Sequence, residues 1–314
     1  MTLPRIAFLG PGAIAAEHAR AFRQLGCPLA AVMGPDAEAA AQFAKRHAVA
    51  RSTDTVADIV DADDVDAVVV ASPSGEHAGQ ALAALRGGKH VLCEIPLGLS
   101  LAEVTAAAEA AGDRIAMACH TQRYLPVVSA LRARVVAGEF EPISMSITSA
   151  IYRRSNVGWT GERRDWADDI IWHHTTHAVD TSLWLLDDGI ESVQALAGPA
   201  DRETGRPLDL ALALRTRTGR LATIAMSYNA IRPVSEVSVF GRSETARISN
   251  WQPSHAAASE PNDLLGKAAF AQAQAFLSAI AQRPGSWPSF RDVLPTYRVI
   301  QQVYDQIRQE SSPA

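Results

Sequence analysis

Hydrophobic positions follow two successive patterns along the chain. Through about residue 120, short apolar runs alternate with stretches of helical spacing. The runs are 5–9, 29–33, 66–71, 90–93 and 115–119. Val68-Val69-Val70, inside the third run, is a β-branched block suited to a strand buried on both faces. Helical spacing occupies 13–25, 37–47, 75–86 and 100–111. Gly87-Gly88 is a natural stop for one of these helices, and Ser100 with Glu103 makes a capping box for another. Strands alternating with helices in this way predict a parallel, doubly wound sheet, an α/β domain over 1–122.

The pattern changes after a linking helix at 124–137. Two-residue alternation follows at 143–151, 192–197, 208–216, 221–228, 236–240 and 245–248. Alternation of this kind predicts an antiparallel sheet covered on one face. A helix at 174–186 interrupts the series, and helices near 262–282 and 290–309 end it. The second domain, 123–314, is therefore expected to be α+β with an open, mainly antiparallel sheet, its last helix packing back on the first domain.

Composition narrows the function classes. The 314 residues are 47% hydrophobic and 20% charged, with a net charge of −5. That is ordinary globular material for two cores and lacks the basic excess of a nucleic-acid binder. Cys27, Cys93 and Cys119 sit in apolar stretches without paired or zinc-type spacing, so buried, reduced thiols and no metal are expected. The opening MTLPRIAFLGPG runs straight into a strand and turn and does not read as a signal peptide. No apolar run approaches a membrane span, which makes a cytoplasmic location the default expectation.

The first chemical motif is Gly10-Pro11-Gly12-Ala13-Ile14-Ala15, between the first strand and the first helix. Gly10 suits the tight turn, Gly12 admits close approach of a pyrophosphate, and Ala15 permits close helix–strand packing. The amides at Ala13 and Ile14 would then face the phosphates, as in a Rossmann domain. The second strand ends in Met33-Gly34-Pro35-Asp36. Gly34 brings neither the acid that binds a ribose nor the base that binds a 2′-phosphate. Asp36 is open between ribose contact and a cap for the next helix. Ser72 and Pro73, after the Val-rich strand, are candidate cofactor contacts, whereas His77 reads as structural.

This turn, the strand end Cys93-Glu94-Ile95-Pro96-Leu97 and the segment His173-His174-Thr175-Thr176-His177-Ala178-Val179-Asp180 together resemble the glucose-fructose oxidoreductase / inositol dehydrogenase / rhizopine catabolism family. The resemblance extends to the ending Leu294-Pro295-Thr296-Tyr297-Arg298-Val299. It implies a Rossmann domain joined to an open-sheet α+β domain, pyridine-nucleotide redox chemistry, and cofactor contacts at Glu94 and Ile95. Two departures stand out. The family's usual Glu-Lys-Pro is Glu94-Ile95-Pro96, and the aspartate expected four residues before the catalytic histidine is His173. One branch with the same changes is the carboxy-hydroxymuconate semialdehyde dehydrogenases of aromatic compound catabolism. The chain is similar to it at Arg153-Arg154-Ser155-Asn156, at Arg164-x-Trp166 and across 171–180. That branch implies NADP, but its Ser-Arg pair is replaced by Gly34-Pro35, so NAD stays open.

In that branch a cyclic hemiacetal bearing carboxylates is oxidised to a lactone of the pyrone type. The chain offers the groups this needs. His173 and His177, four apart, would share a helix face, one as base and the other orienting the reacting oxygen. His177 holds the family's histidine position and is the first choice as base. His174 is expected to point elsewhere, and Asp180 either orients a histidine or ties helix to sheet. Arg123, Arg153, Arg154, Arg163 and Arg164 are candidate carboxylate contacts, with Arg123 and Arg154 ranked first. Trp159, Trp166 and Trp172 wall the pocket or simply pack. Two other functions fit the motifs: a sugar or polyol dehydrogenase, and a cofactor-binding regulator without turnover. The expected partners are a carboxylated small molecule and further copies of the chain, as dimer or tetramer.

Overall fold

A computed structural model of the chain describes residues 2–154, 169–250, 252–253 and 261–310. Among these, two compact units separate: 2–121 with 266–294, and 122–154 with 169–250, 252–253, 261–265 and 295–310.

The first unit holds a six-stranded parallel sheet in the order β3-β2-β1-β4-β5-β6. Its strands are β1 (Ile6–Leu9), β2 (Leu29–Met33), β3 (Arg51–Thr53), β4 (Ala67–Val70), β5 (His90–Cys93) and β6 (Ala116–Ala118). The helices between them are α1 (Ala13–Gln24), α2 (Ala37–His47), α3 (Ala57–Val60), α4 (His77–Arg86) and α5 (Leu101–Ala110). Strands β1, β2 and β4 are buried along their whole length, which is why they read as unbroken apolar runs. Ser100 caps α5 by accepting from the Glu103 amide, and Glu103 reaches back to the Leu99 amide.

The second unit begins with α6 (Pro126–Val136), β7 (Pro142–Tyr152) and α7 (His174–Leu186). Six strands follow: β8 (Ile190–Ala197), β9 (Asp209–Thr216), β10 (Leu221–Ser227), β11 (Asn229–Gly241), β12 (Thr245–Ser249) and β13 (Gln252–Pro253). They form a seven-stranded sheet in the order β13-β12-β11-β7-β10-β9-β8. Every neighbouring pair is antiparallel except β10 with β7. Burial alternates along β9 and β10, so Leu210, Leu212, Leu214, Ala222, Ile224 and Met226 line one face. Each buried leucine, isoleucine or methionine contributes about 1.5–3 kcal/mol.

Two helices complete the chain, α8 (Pro261–Ile280) and α9 (Leu294–Glu310). Residues 266–294 belong with the first unit and 295–310 with the second. Most of α8 thus groups with the dinucleotide domain. Phe276 of α8 meets Phe22 of α1 edge-on, with ring centroids 6.2 Å apart. The segment after α8 covers the free edge of β6: the Ala118 amide donates to Pro288 and the Phe290 amide to Ala116. Among the described residues no helix is long and apolar enough to cross a membrane.

Candidate active site

In the first unit, Gly10 adopts φ +100°, and a Cβ there would lie 2.6 Å from the Ala71 carbonyl oxygen. Only glycine allows β1 to turn so closely against the end of β4. Gly12 precedes α1 in extended conformation with no side-chain cap, and the first turn of α1 carries no acid. The amides of Ala13 and Ile14 lack side-chain acceptors from that cap, as a helix start that receives an anion requires. This cradle fits the pyrophosphate of a dinucleotide.

Several other residues expected to touch the cofactor have structural duties. A Cβ on Gly34 would lie 2.8 Å from the ring of Pro11, so Gly34 makes room for the proline. Asp36 caps α2, its Oδ1 accepting from the Glu38 and Ala39 amides at 2.9 and 3.1 Å. Ser72 donates to Gln80 Oε1 at 2.8 Å. The ring nitrogens of His77 lie 2.8 Å from the carbonyl oxygens of Pro96 and Ser72, tying the ends of β4 and β5 together. Pro73 leads into a short 3₁₀ turn, Ser74–Glu76.

Glu94 is 2.6 Å from His18 Nε2. Burial works against its charge, but the hydrogen bond and charge of His18, helped by His77, bring its pKa below the ordinary carboxylate value. Ile95 is buried. Among the described residues one group of three ligand-type side chains has donor atoms within 4.8 Å of one another: His18, Glu94 and Cys119. The His18–Glu94 hydrogen bond accounts for their closeness, and burial raises the Cys119 thiol well above its usual pKa. All three cysteines are free and buried.

The histidines lie in the second unit. Asp169 organises the approach to α7, its Oδ1 accepting from the amides of Ile171 and Trp172 at 3.0 and 3.2 Å. His173 is the N-cap of α7, with φ −89° and ψ −85°, and is not itself helical. Only His177 of the expected pair therefore lies within the helix. The ring of His173 stacks on that of His174, with centroids 4.4 Å apart and planes 21° apart. His174 thus joins the cluster rather than pointing away from it. Its Nδ1 is 2.8 Å from the hydroxyl of Tyr228. His173, His174 and His177 are all half-buried, whereas Thr175, Thr176, Ala178 and Val179 beside them are buried.

Arg153, near the end of β7, completes the cluster. Its Nη1 donates to Tyr228 Oη at 3.1 Å and lies 3.2 Å from His173 Nδ1. Its guanidinium also sits over the Tyr228 ring, 5.3 Å from the centroid. Tyr228 escaped the pattern reading because it ends an alternating run and looks like one more strand residue. The available signal was a large aromatic hydroxyl just past β10, where a buried hydroxyl needs polar partners.

The two arginines ranked first as carboxylate contacts are engaged elsewhere. Arg123 donates through Nε and Nη2 to both oxygens of Asp180, at 2.8 and 2.6 Å. Asp180 also accepts from Thr296, so it ties α7 to α9 rather than orienting a histidine. Arg154 donates to Asp201 at 2.7 Å. Trp172 is buried and packs near the Tyr304 ring, with centroids 5.7 Å apart. Arg163, Arg164, Trp159 and Trp166 lie outside the described residues.

A Rossmann sheet with a glycine cradle, joined to an open-sheet unit bearing clustered histidines, defines an NAD(P)-dependent oxidoreductase. Residues 4–120 match the model for the oxidoreductase family with an NAD-binding Rossmann fold, and 126–252 the model for the C-terminal part of bacterial oxidoreductases. The chain is 33% identical over 229 residues to a 4-carboxy-2-hydroxymuconate-6-semialdehyde dehydrogenase of Sphingobium sp. (strain NBRC 103272 / SYK-6), covering 72% of each protein. It is 30% identical over 233 residues to an inositol 2-dehydrogenase of Acidothermus cellulolyticus, covering 72% of this chain and 66% of the relative. The crystal structure of the WlbA dehydrogenase from Bordetella pertussis, in complex with NADH and UDP-GlcNAcA, matches the fold with a TM-score of 0.87 at 19% identity, over 100% of this chain and 99% of that one. The chain belongs to the glucose-fructose oxidoreductase / inositol dehydrogenase / rhizopine catabolism family.

Proposed function

We propose that this oxidoreductase oxidises a cyclic hemiacetal bearing carboxylates, of the 4-carboxy-2-hydroxymuconate semialdehyde type, to a lactone. One observation carries the reading: half-buried His173 and His174 gather with Arg153 at the start of α7, whose first turns also carry half-buried His177, in a chain whose strand-end motif has buried Ile95 where the family has lysine. Proton handling therefore rests on imidazoles, and a guanidinium stands beside them for an anionic substrate. The Sphingobium relative, named for such a semialdehyde, supports the assignment.

When bound, NAD or NADP accepts the hydride released from the hemiacetal carbon. Gly10 and Gly12 would admit its pyrophosphate, and the amides of Ala13 and Ile14 would donate to it. One histidine takes the proton of the hemiacetal hydroxyl as its oxygen becomes the lactone carbonyl, and a second holds that oxygen. His177 is the base in this scheme, and Arg153 supplies positive charge for a substrate carboxylate.

A polyol or sugar dehydrogenase is the second reading, favoured by the inositol 2-dehydrogenase relative. The two separate in a spectrophotometric assay with either cofactor. The carboxylated hemiacetal should produce reduced nicotinamide, and inositol or a neutral sugar should not. Turnover of the neutral substrate alone would replace the first reading by the second.

A further inference from the structure

Two histidines compete for the role of base, and the neighbour of one of them decides between them. Arg153 Nη1 lies 3.2 Å from His173 Nδ1. A guanidinium carries donors and no acceptor, so this contact is a hydrogen bond only when Nδ1 presents a lone pair. An uncharged imidazole has one N–H, which then resides on Nε2. The lone pair of His173 is already directed at the arginine, and the remaining nitrogen can only donate.

The arginine is held for this task. Its own amide donates to the Tyr228 carbonyl at 2.9 Å. Its Nη1 donates to the Tyr228 hydroxyl at 3.1 Å, and its guanidinium lies over the Tyr228 ring. Tyr228 is 1% exposed, so the platform is fixed by packing. On the other side His174 stacks on His173 and sets the plane of its ring.

We infer that Arg153, seated on Tyr228, is a positioning residue that holds His173 in the Nε2–H tautomer, so that His173 donates a hydrogen bond to the reacting oxygen and His177 takes the proton. The inference rests on the dehydrogenase reading for its catalytic half. Its structural half, the tautomer, stands without any substrate.

The test has two arms on the full-length protein. In the first, histidine is labelled with ¹⁵N, and long-range ¹H–¹⁵N spectra are recorded for the wild type and for His173→Gln, which identifies the His173 signals. A single Nε2–H pattern is expected, with an unprotonated Nδ1. Arg153→Met should convert it to mixed tautomers, and Arg153→Lys, which keeps a donor, should restore it at least in part. An Nδ1–H or doubly protonated His173 in the wild type overturns the inference, as does an unchanged pattern in Arg153→Met. In the second arm, kcat is measured for His173→Gln and His177→Gln. Glutamine keeps an N–H donor near the Nε2 position, so His173→Gln should lose no more than about tenfold in kcat. His177→Gln should lose about 10²–10⁴-fold, the worth of a general base. The reverse order overturns the assignment. An enzyme that turns over only neutral polyols would instead sink the substrate reading and leave the tautomer result standing.

Discussion

The guanidinium of Arg123 grips both carboxylate oxygens of Asp180, at 2.6 and 2.8 Å, and the aspartate is 1% exposed. The pair lies one helical turn beyond His177 and pins α7 to the 3₁₀ turn Thr121–Tyr124. Removing the acid strands a largely buried cation. Asp180→Ala should therefore cost about 3–5 kcal/mol in urea unfolding. Asp180→Glu, which keeps the charge, should cost less. A loss below about 1 kcal/mol for the alanine variant, the range of surface pairs, would show that the pair is dispensable.

The two glycines of the nucleotide turn should respond differently to substitution. At Gly10 a Cβ meets backbone at 2.6 Å and φ is +100°, so Gly10→Ala should lower thermal stability outright. At Gly12 the nearest atom to an added Cβ is 3.9 Å away, so Gly12→Val should fold normally. Its side chain would occupy the space the pyrophosphate needs, raising the Kd for NADH or NADPH at least about tenfold. Calorimetric titration beside a thermal melt separates the two effects. Normal cofactor affinity in folded Gly12→Val would remove the cradle from the account.

Asp36 serves α2 as its cap, so Asp36→Ala should cost about 1 kcal/mol and Asp36→Ser should recover most of that. Neither variant should change the ratio of kcat/KM for NAD against NADP. A large change in that ratio for Asp36→Ser would show that the carboxylate also reaches the ribose.

Acid stability carries a signature of Asp188. Burial opposes its charge, but hydrogen bonds from the Thr218 side chain and amide, with Thr216 and the Gly189 amide, hold its pKa at about 2, below the ordinary carboxylate value. A group depressed on folding stabilises the protein above its unfolded pKa and loses that contribution as the pH falls toward the folded one. Wild type should therefore lose stability between about pH 4 and pH 2 more steeply than Asp188→Asn. Parallel unfolding curves for the two proteins across that window would contradict the assignment.

The residues themselves explain what the sequence made legible. The runs at β1, β2, β4 and β5 and the cap at Ser100 are local signals, and the structure follows them closely. Strand β3 and helix α3 have three and four residues, too few for a period to register. Strand β11 was legible only at 236–240 because its pairing with β7 is irregular between Asn229 and Val234, around the non-donating Pro233. The histidine cluster was legible by spacing, but its geometry was not. His173 is non-helical, and its ring stacks on that of its neighbour His174, a contact that residue spacing does not encode. Partner choice was the least legible feature. Nothing near Arg123 or Arg154 in sequence points to Asp180 or Asp201, 57 and 47 residues away, and those contacts form only on folding.

The central claim is that the histidine cluster serves an anionic hemiacetal. The most direct measurement is the ratio of kcat/KM for the carboxylated hemiacetal to that for inositol, in wild type and in Arg153→Met. The wild-type ratio should favour the carboxylated substrate by at least about tenfold, the worth of one charge-assisted hydrogen bond, and should fall when the arginine is removed. A wild-type ratio at or below one, unaffected by Arg153→Met, would contradict the account.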